Sequence, residues 1–480
     1  MTLQGRASGS VSGIALAICS IATAMCAGGE HSPRVLPENA VQPAGASFEG
    51  YPVIGTRQKV WIGEDILGES ARELAVRPIR GLGMMTIRPL ERLTVRAKEI
   101  TPIAKIGHMS PICDPLANPN RGGDFGGDAV PARLTLLTDS EPAIQALLRL
   151  IAGAQYRIDL MMYGWDDDFT GRQVAEALAS KAREGVLVRV VADHAAYLIH
   201  NRKVVEGSST FLDLLKSTPN VAVLLGPDPF IRLDHRKLAV IDDKTAWTGG
   251  MILTDTARVR WHNFAYLAQG PIVAEFAAVF DERFRHAGGV SVPSCPGASE
   301  YASSVVPNAA VRLVRTDVCK RSLKSSVYHA VDHAQNRIYI ENPYFTDEQL
   351  ISKLVAASRR GVEVNAILTL RGNVHRVNQD VTLTANALYR AGVHVYLYPA
   401  MTHVKAMSVD GVWAYMGTGN FDELSLRNNR EVGVSVVSEP VVEALDRSLF
   451  QADMAESQEI HALLPKPKNW ISLKLFELWY

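Results

Sequence analysis

No sign of charge dominates this chain: 50 Lys and Arg residues balance 50 Asp and Glu across 480 residues. A chain this neutral has no global field for gathering a polyanion such as nucleic acid, so an anionic ligand must be held by a local site. Cysteine is scarce too. There are five, with no CxxC or comparable metal-ligand spacing, which argues against a zinc ribbon or a disulfide-built scaffold. Long apolar runs are missing as well; the most apolar stretch near the start, residues 14–21, is too short to span a bilayer as an ordinary helix. What remains, with 47% hydrophobic and 21% charged residues, suits two or three folded domains with proper cores.

The first residues have a separate character. Arg6 precedes an uncharged stretch over residues 7–29, and Ala22-Thr23-Ala24 supplies the small-x-small pattern of a signal-peptidase site. Residues 1–24 are therefore expected to be a secretory signal peptide, with an uncleaved anchor as the competing reading. Cys26 would suit a lipoprotein, but Met25 before it is bulkier than that processing accepts. Cleavage after Ala24 leaves Cys26, Cys113, Cys295 and Cys319. Export permits a disulfide, for which Cys295–Cys319 is the nearest pair in sequence, although spacing does not dictate connectivity. Residues 25–132 form an N-terminal extension, rich in Pro and Gly near both ends, with seven Lys or Arg against two Glu in residues 72–98. The tail, residues 456–480, ends in Trp470, Phe476, Trp479 and Tyr480, which suits docking on the body.

Between these ends the chain repeats itself. Ala154-Gln155-Tyr156-Arg157-Ile158 recurs as Ala334-Gln335-Asn336-Arg337-Ile338, Glu184-Gly185-Val186-Leu187-Val188 as Arg360-Gly361-Val362-Glu363-Val364, and His235-Arg236-Lys237 through Asp242 as His403-Val404-Lys405 through Asp410. The offsets of 180, 176 and 168 residues drift as loop-length changes would make them. In both copies a Gly ends a helix and β-formers follow. Alternating strands and helices predict an α/β fold around a largely parallel sheet, in two units at residues 133–295 and 296–455 related by a pseudo-two-fold axis.

The third repeat carries chemistry. In a strand, residues i and i+2 share a face, so His235 projects with Lys237, and His403 with Lys405. Each pair runs into an apolar stretch, residues 238–241 or 406–409, that belongs in a core. A Lys at the end of a buried strand is costly unless an anion awaits it. A two-fold axis can gather two imidazoles and two ammonium groups around one pocket. Such a set suits a phosphate diester: the cations offset the charge on the non-bridging oxygens, one His attacks phosphorus, and the other protonates the leaving oxygen. No metal or cofactor is needed for this, and no metal-ligand cluster is legible in the sequence.

Both segments resemble the HKD motif of the phospholipase D superfamily. The first continues into Gly249-Gly250; the second into Gly417-Thr418-Gly419-Asn420-Phe421-Asp422, then Ser425, Asn429 and Glu431, similar to the ending found in bacterial cardiolipin synthases. The stretch Ile340-Glu341-Asn342-Pro343-Tyr344-Phe345 is also similar to those enzymes. The resemblance covers residues 133–455 and implies a pair of α/β/α sandwich lobes with the active site between them. It implies His403, Lys405, Asn420 and Glu431 as the second lobe's site residues, with His235 and Lys237 from the first. Asp242 and Asp410 belong to the motif, but five residues past each Lys they suit a structural role. Gly249, Gly250, Gly417 and Thr418 are expected to let the next strand approach the phosphate.

The first lobe departs from the pattern twice. Counting from His235 as Asn420 and Glu431 count from His403 reaches Ile252 and Asn263. On this count Glu431 supports His403 and keeps it cationic, while Asn263 leaves His235 neutral. That predicts His235 as nucleophile and His403 as general acid. The N-terminal segment predicts export, to the periplasm or beyond, with the protein peripheral on the membrane. The resemblance implies a monomeric enzyme acting on phospholipid head groups at a membrane surface, with water or a primary alcohol as acceptor and no obligate nucleic acid. Two other readings stay open: an exported endonuclease using the same chemistry, and a catalytically inactive lipid-binding protein.

Overall fold

A computed structural model describes residues 125–465 apart from 194, 195, 197–209, 227–231, 318, 370 and 374. The signal-peptide, lipoprotein and basic-segment readings, Cys113 and the aromatic tail lie outside the described residues.

The repeat becomes two halves of one sheet. The first half contributes β1 (Val130–Leu137), β2 (Arg157–Met162), β3 (Leu187–Asp193), β4 (Val221–Gly226), β5 (Lys237–Ile241), β6 (Thr245–Gly249), a short β7 (Trp261–His262) and β8 (Ala265–Gln269). The second contributes β9 (Ala309–Thr316), β10 (Arg337–Glu341), β11 (Glu363–Leu368), β12 (His394–Leu397), a short β13 (Met401–Thr402), β14 (Ala406–Val409), β15 (Trp413–Gly417) and β16 (Glu431–Val437), with β17 (Gln458–Glu459) at the edge. Leaving out that edge strand, the order β4-β3-β2-β5-β6-β8-β1 is mirrored by β12-β11-β10-β14-β15-β16-β9. The halves join where β1 pairs antiparallel with β9, Val130 opposite Val311. The pseudo-two-fold axis therefore passes between these two strands, and one sheet runs through both lobes.

The sheet is mixed rather than largely parallel. β2·β3, β3·β4, β10·β11 and β11·β12 run parallel, as their intervening helices require. The motif strand and its neighbours are antiparallel, because β5 returns as β6, and β14 as β15, through turns too short for a crossover. The parallel strands β2 and β3, inside the edge strand β4, are buried almost throughout, as strands covered on both faces should be.

Helices Ser140–Gly153 and Phe169–Arg183 cover one face of the first lobe, and Ser322–His333 and Glu348–Arg359 the same face of the second, each over its own apolar cluster. The opposite face carries a core shared by both lobes, in which Phe276 and Phe280 of helix Ile272–His286 join Val432 and Val434 of β16. The layering is α/β/α. Gly185 and Gly361 follow two of these helices at φ of 101° and 95°, a conformation that ends a helix without Cβ strain.

Cys295 is a free, buried thiol whereas Cys319 is disulfide-bonded, so the pairing suggested by sequence proximity does not form. Among the described residues no helix is long and apolar enough to cross a membrane.

The motif aspartates take no part in the candidate site. Asp242 sits in the β5–β6 turn at φ 53° and accepts hydrogen bonds from the backbone of Gln155, Tyr156 and Arg157 at 2.7–2.8 Å. Asp410 at φ 54° does the same for Gln335, Asn336 and Arg337 at 2.7–2.9 Å. Each carboxylate ties the far end of the motif hairpin to the start of the neighbouring strand. Asp242→Ala removes a charged acceptor from three amides and should cost about 3 kcal/mol of stability. Denaturant titration should show the lowered midpoint, while turnover of the folded fraction stays within a few-fold of the parent.

Candidate active site

The two strand ends that carry the histidines meet across the lobes. Just before β5, Asp234 bridges to Arg430, and the His235 amide donates to the Arg430 carbonyl at 3.0 Å. Symmetrically, β13 pairs with β7, and the His403 amide donates to the His262 carbonyl at 2.7 Å. Each histidine is thus stitched to the segment that carries the other lobe's supporting residue.

This reverses the support expected by counting along each lobe. His235 Nδ1 lies 2.8 Å from Glu431 Oε1, whereas His403 Nδ1 lies 3.2 Å from Asn263 Oδ1. The amide of Asn263 is oriented by its own network, since Nδ2 donates to Ser140 Oγ and to the Ala257 carbonyl, both at 3.0 Å. Its oxygen therefore faces His403, whose Nδ1 must be the donor. In both rings Nδ1 is engaged, and the catalytic-type nitrogen Nε2 is the one left to meet a ligand.

The two lysines are fully buried, and each Nζ donates back to the carbonyl of its own motif histidine, Lys237 to His235 and Lys405 to His403 at 2.9 Å. Burial pushes Lys237 down to about 7, and drives Lys405 well below its usual range with the charge of Lys237 adding to the effect. Both imidazoles are held well below 6.5, first by burial and then by both lysines, one from each lobe. All four groups therefore share one electrostatic environment. Burial raises Glu431 to about 7, against the pull of Lys237 and a hydrogen bond from Thr418. A buried cluster of this kind resists positive charge, and an entering phosphate anion relieves it.

The remaining predicted residues divide. The Thr418 hydroxyl donates to Glu431 Oε2 at 2.5 Å, so it serves the carboxylate. A Cβ on Gly250 would lie 2.3 Å from the His403 carbonyl oxygen, and one on Gly249 2.4 Å from that of Phe264. Gly417 packs against Gly433. These glycines admit neighbouring backbone, and at Gly250 the neighbour is the other lobe's histidine. Asn420 is buried, and its Oδ1 has no hydrogen-bond partner among the described residues. Ile252 is buried against Gly164, so the first lobe offers apolar surface where the second offers an amide.

Counting along the sequence missed three neighbours. Tyr163 presents its ring edge-on to His235, centroids 4.6 Å apart, with Lys237 Nζ 4.9 Å from its centre. Trp261 lies against His403 at 4.9 Å. Asp234 is clamped by Arg236 at 2.6 Å and Arg283 at 2.7 Å, anchoring the residue before His235. Only Tyr163 had a signal, as a polar aromatic closing an apolar strand. A separate cluster, His262, Glu341 and Asp453, brings three possible metal ligands within 4.8 Å of one another, which no spacing disclosed.

Comparisons with known proteins agree with the two-lobed arrangement. The family described as cardiolipin synthase, PLD-like domain, matches residues 147–286 and 327–453, one segment per lobe. Cardiolipin synthase A of Cronobacter sakazakii is 27% identical over 68% of this chain and 68% of its own length. A probable cardiolipin synthase of Bacillus subtilis is 26% identical over 68% of this chain and 67% of its own. Among solved structures, phosphatidylserine synthase of Haemophilus influenzae superposes with a TM-score of 0.58 at 14% identity, over 74% of this chain and 98% of that one. At that identity the likeness speaks to the fold.

Proposed function

This chain belongs to the family of cardiolipin synthase, PLD-like domains, and from that premise we propose that it is a phosphatidyltransferase working through a phosphohistidine. The observation that carries this reading is the cross-lobe cluster: two buried histidines with Nδ1 engaged, and a buried lysine beside each. Asn263 supports through an amide, so the countercharge stands at His235.

The exchange of supports removes the basis on which counting along each lobe made His235 the nucleophile, and the same roles now rest on a different ground, the charge that forms during attack. Attack through His235 Nε2 forms a bond to phosphorus and breaks the bond to the leaving alkoxide. The ring keeps its Nδ1 proton and becomes cationic, and Glu431 faces that charge directly. His403, held only by a neutral amide, gives up a proton more readily and suits protonation of the leaving oxygen through Nε2. In the second step the acceptor hydroxyl loses its proton to His403, its oxygen bonds to phosphorus, and the His235–phosphorus bond breaks. Lys237 and Lys405 offset the charge on the non-bridging oxygens. The substrate is a phospholipid, the acceptor a lipid hydroxyl or a small primary alcohol. Export of the chain through residues 1–24 belongs to the same reading.

The test is incubation of the purified protein with vesicles of phosphatidylglycerol or phosphatidylethanolamine, with and without a primary alcohol. Phosphatidylglycerol alone should yield a diphosphatidyl lipid and free glycerol, and the alcohol should divert the phosphatidyl group to a phosphatidylalcohol. Phosphatidic acid as sole product in both arms would make the protein a hydrolase. Absence of lipid turnover with cleavage of added DNA would make it a nuclease.

A further inference from the structure

Directly behind His403 lies a buried group of acids that the proposed reaction does not use. His262 ends β7, Glu341 ends β10, and Asp453 lies in helix Ala452–Glu456, just after the π-helical turn Asp446–Gln451. The first comes from one lobe and the other two from its partner lobe. One ligand atom from each lies within 4.8 Å of the others. His262 Nε2 is 2.9 Å from Asp453 Oδ2. Glu341 is completely buried; Oε1 accepts from the Thr402 hydroxyl, but Oε2 has no hydrogen-bond partner among the described residues.

From this geometry we propose that His262, Glu341 and Asp453 bind a divalent transition-metal ion of the zinc or manganese class, which clamps the two lobes together behind the catalytic cluster. His262 already faces Asp453 at 2.9 Å, but one imidazole is shared by two buried acids, and Glu341 Oε2, without a hydrogen-bond partner among the described residues, is the atom that a divalent ion would take. The imidazole ligand selects against calcium and magnesium, which prefer all-oxygen shells. Asp139 Oδ1 stands 3.5 Å from His262 Nδ1, on the side of the ring away from the site. That is the placement by which an outer carboxylate orients a metal-bound histidine and raises its basicity. The ring is also stacked on Tyr398 at 5.1 Å. Binding would displace the Nε2 proton of His262 to solvent. The consequence reaches His403 through the backbone, because the His262 carbonyl accepts the His403 amide and Asn263 follows His262 in the chain. The site stands whatever reaction the centre performs.

The full chain, stripped with a chelator and dialysed, should be titrated with zinc or manganese by calorimetry, with bound metal counted by elemental analysis. The expected result is one ion per chain with a dissociation constant in the micromolar range or below. Asp453→Asn and Glu341→Gln should each weaken binding at least tenfold. Asp139 is exposed and also caps helix Ser140–Gly153 by accepting the Ser140 amide at 2.7 Å, a bond that an Asn oxygen can still accept. Asp139→Asn therefore keeps the test open should the buried variants fail to fold; it should weaken binding by about 10- to 100-fold. Folding is followed by circular dichroism. The proposal is overturned if the folded parent takes up neither ion below about 100 µM, a range in which ligand binding would no longer stabilise the fold appreciably. It is overturned equally if binding survives Asp139→Asn and Asp453→Asn unchanged. A rise in the unfolding midpoint on Glu341→Gln, with no response of the parent to metal, would mark an acid pair sharing a proton instead.

Discussion

His235→Ala should give no covalent phosphoryl adduct with any substrate, while His403→Ala should still give one when the leaving group departs without a proton. On phospholipids both variants should lose turnover by roughly 10⁴-fold or more, the scale seen when a nucleophile or its proton-transfer partner is removed. The adduct separates the two roles. A phosphoryl-bound imidazole is cationic, and the carboxylate of Glu431 lies 2.8 Å from Nδ1 of His235 alone. A nitrophenolate-type leaving group, needing no acid, should therefore trap His403→Ala as an adduct on His235, seen as a mass increase in the peptide containing that residue. An adduct on His403 in the His235→Ala chain would reverse the assignment.

Glu431→Gln should reduce kcat/KM by 10²- to 10⁴-fold near neutral pH, the range expected when an oriented imidazole loses its countercharge. It should also change the shape of the pH profile. Burial raises Glu431 to about 7, so the parent's kcat/KM should fall as pH drops below that point and the carboxylate protonates. The Gln variant has no carboxyl at that position and should lose the part of the acid limb that Glu431 sets, keeping only the response of Lys237, which burial also brings to about 7. Stability should move the other way. A carboxyl whose folded pKa lies above its ordinary 4.5 contributes stability that is present below that value and lost as pH rises through about 7. Glu431→Gln removes this loss, so its advantage in denaturant midpoint over the parent should grow between pH 5 and pH 8. An inactive variant more stable than its parent above neutrality marks a carboxylate kept for chemistry at the expense of the fold. A midpoint difference that is flat with pH would contradict the assignment.

Asn263 is a different substitution, although it occupies the equivalent place. Its Nδ2 donates to the Ala257 carbonyl, so a carboxylate there would set oxygen against oxygen in a buried site. The local network therefore favours the amide, and the two halves of the repeat have settled into different support for their histidines.

Much of this was legible in the residues. The duplicated segments disclosed two α/β halves, and the i, i+2 spacing of His235 with Lys237 and of His403 with Lys405 disclosed paired cations at strand ends. The offset of Asp242 and Asp410 from those strand ends pointed to turns. Ile252 and Asn263 were visible as departures, and the structure sets Asn263 against His403 while Ile252 packs on Gly164 in the first lobe's core. These features depend on local periodicity, which a sequence records directly.

Three things were decided only by the tertiary structure. Counting within each lobe assigned Glu431 to His403, because spacing reports separation along one chain segment. The axis between β1 and β9 instead brings each motif against the opposite lobe, so His235 meets a carboxylate 196 residues away and His403 an amide 140 residues away. The antiparallel majority followed from hairpin turns whose shortness outweighed the helix–strand alternation. The His262, Glu341 and Asp453 cluster draws on two lobes and three elements, with no spacing in common. Sequence determined which side chains stand at the strand ends, because strand geometry is set by neighbours. The partner each one faces was decided by how two half-sheets bury their shared edge, a cost and gain spread over the whole molecule.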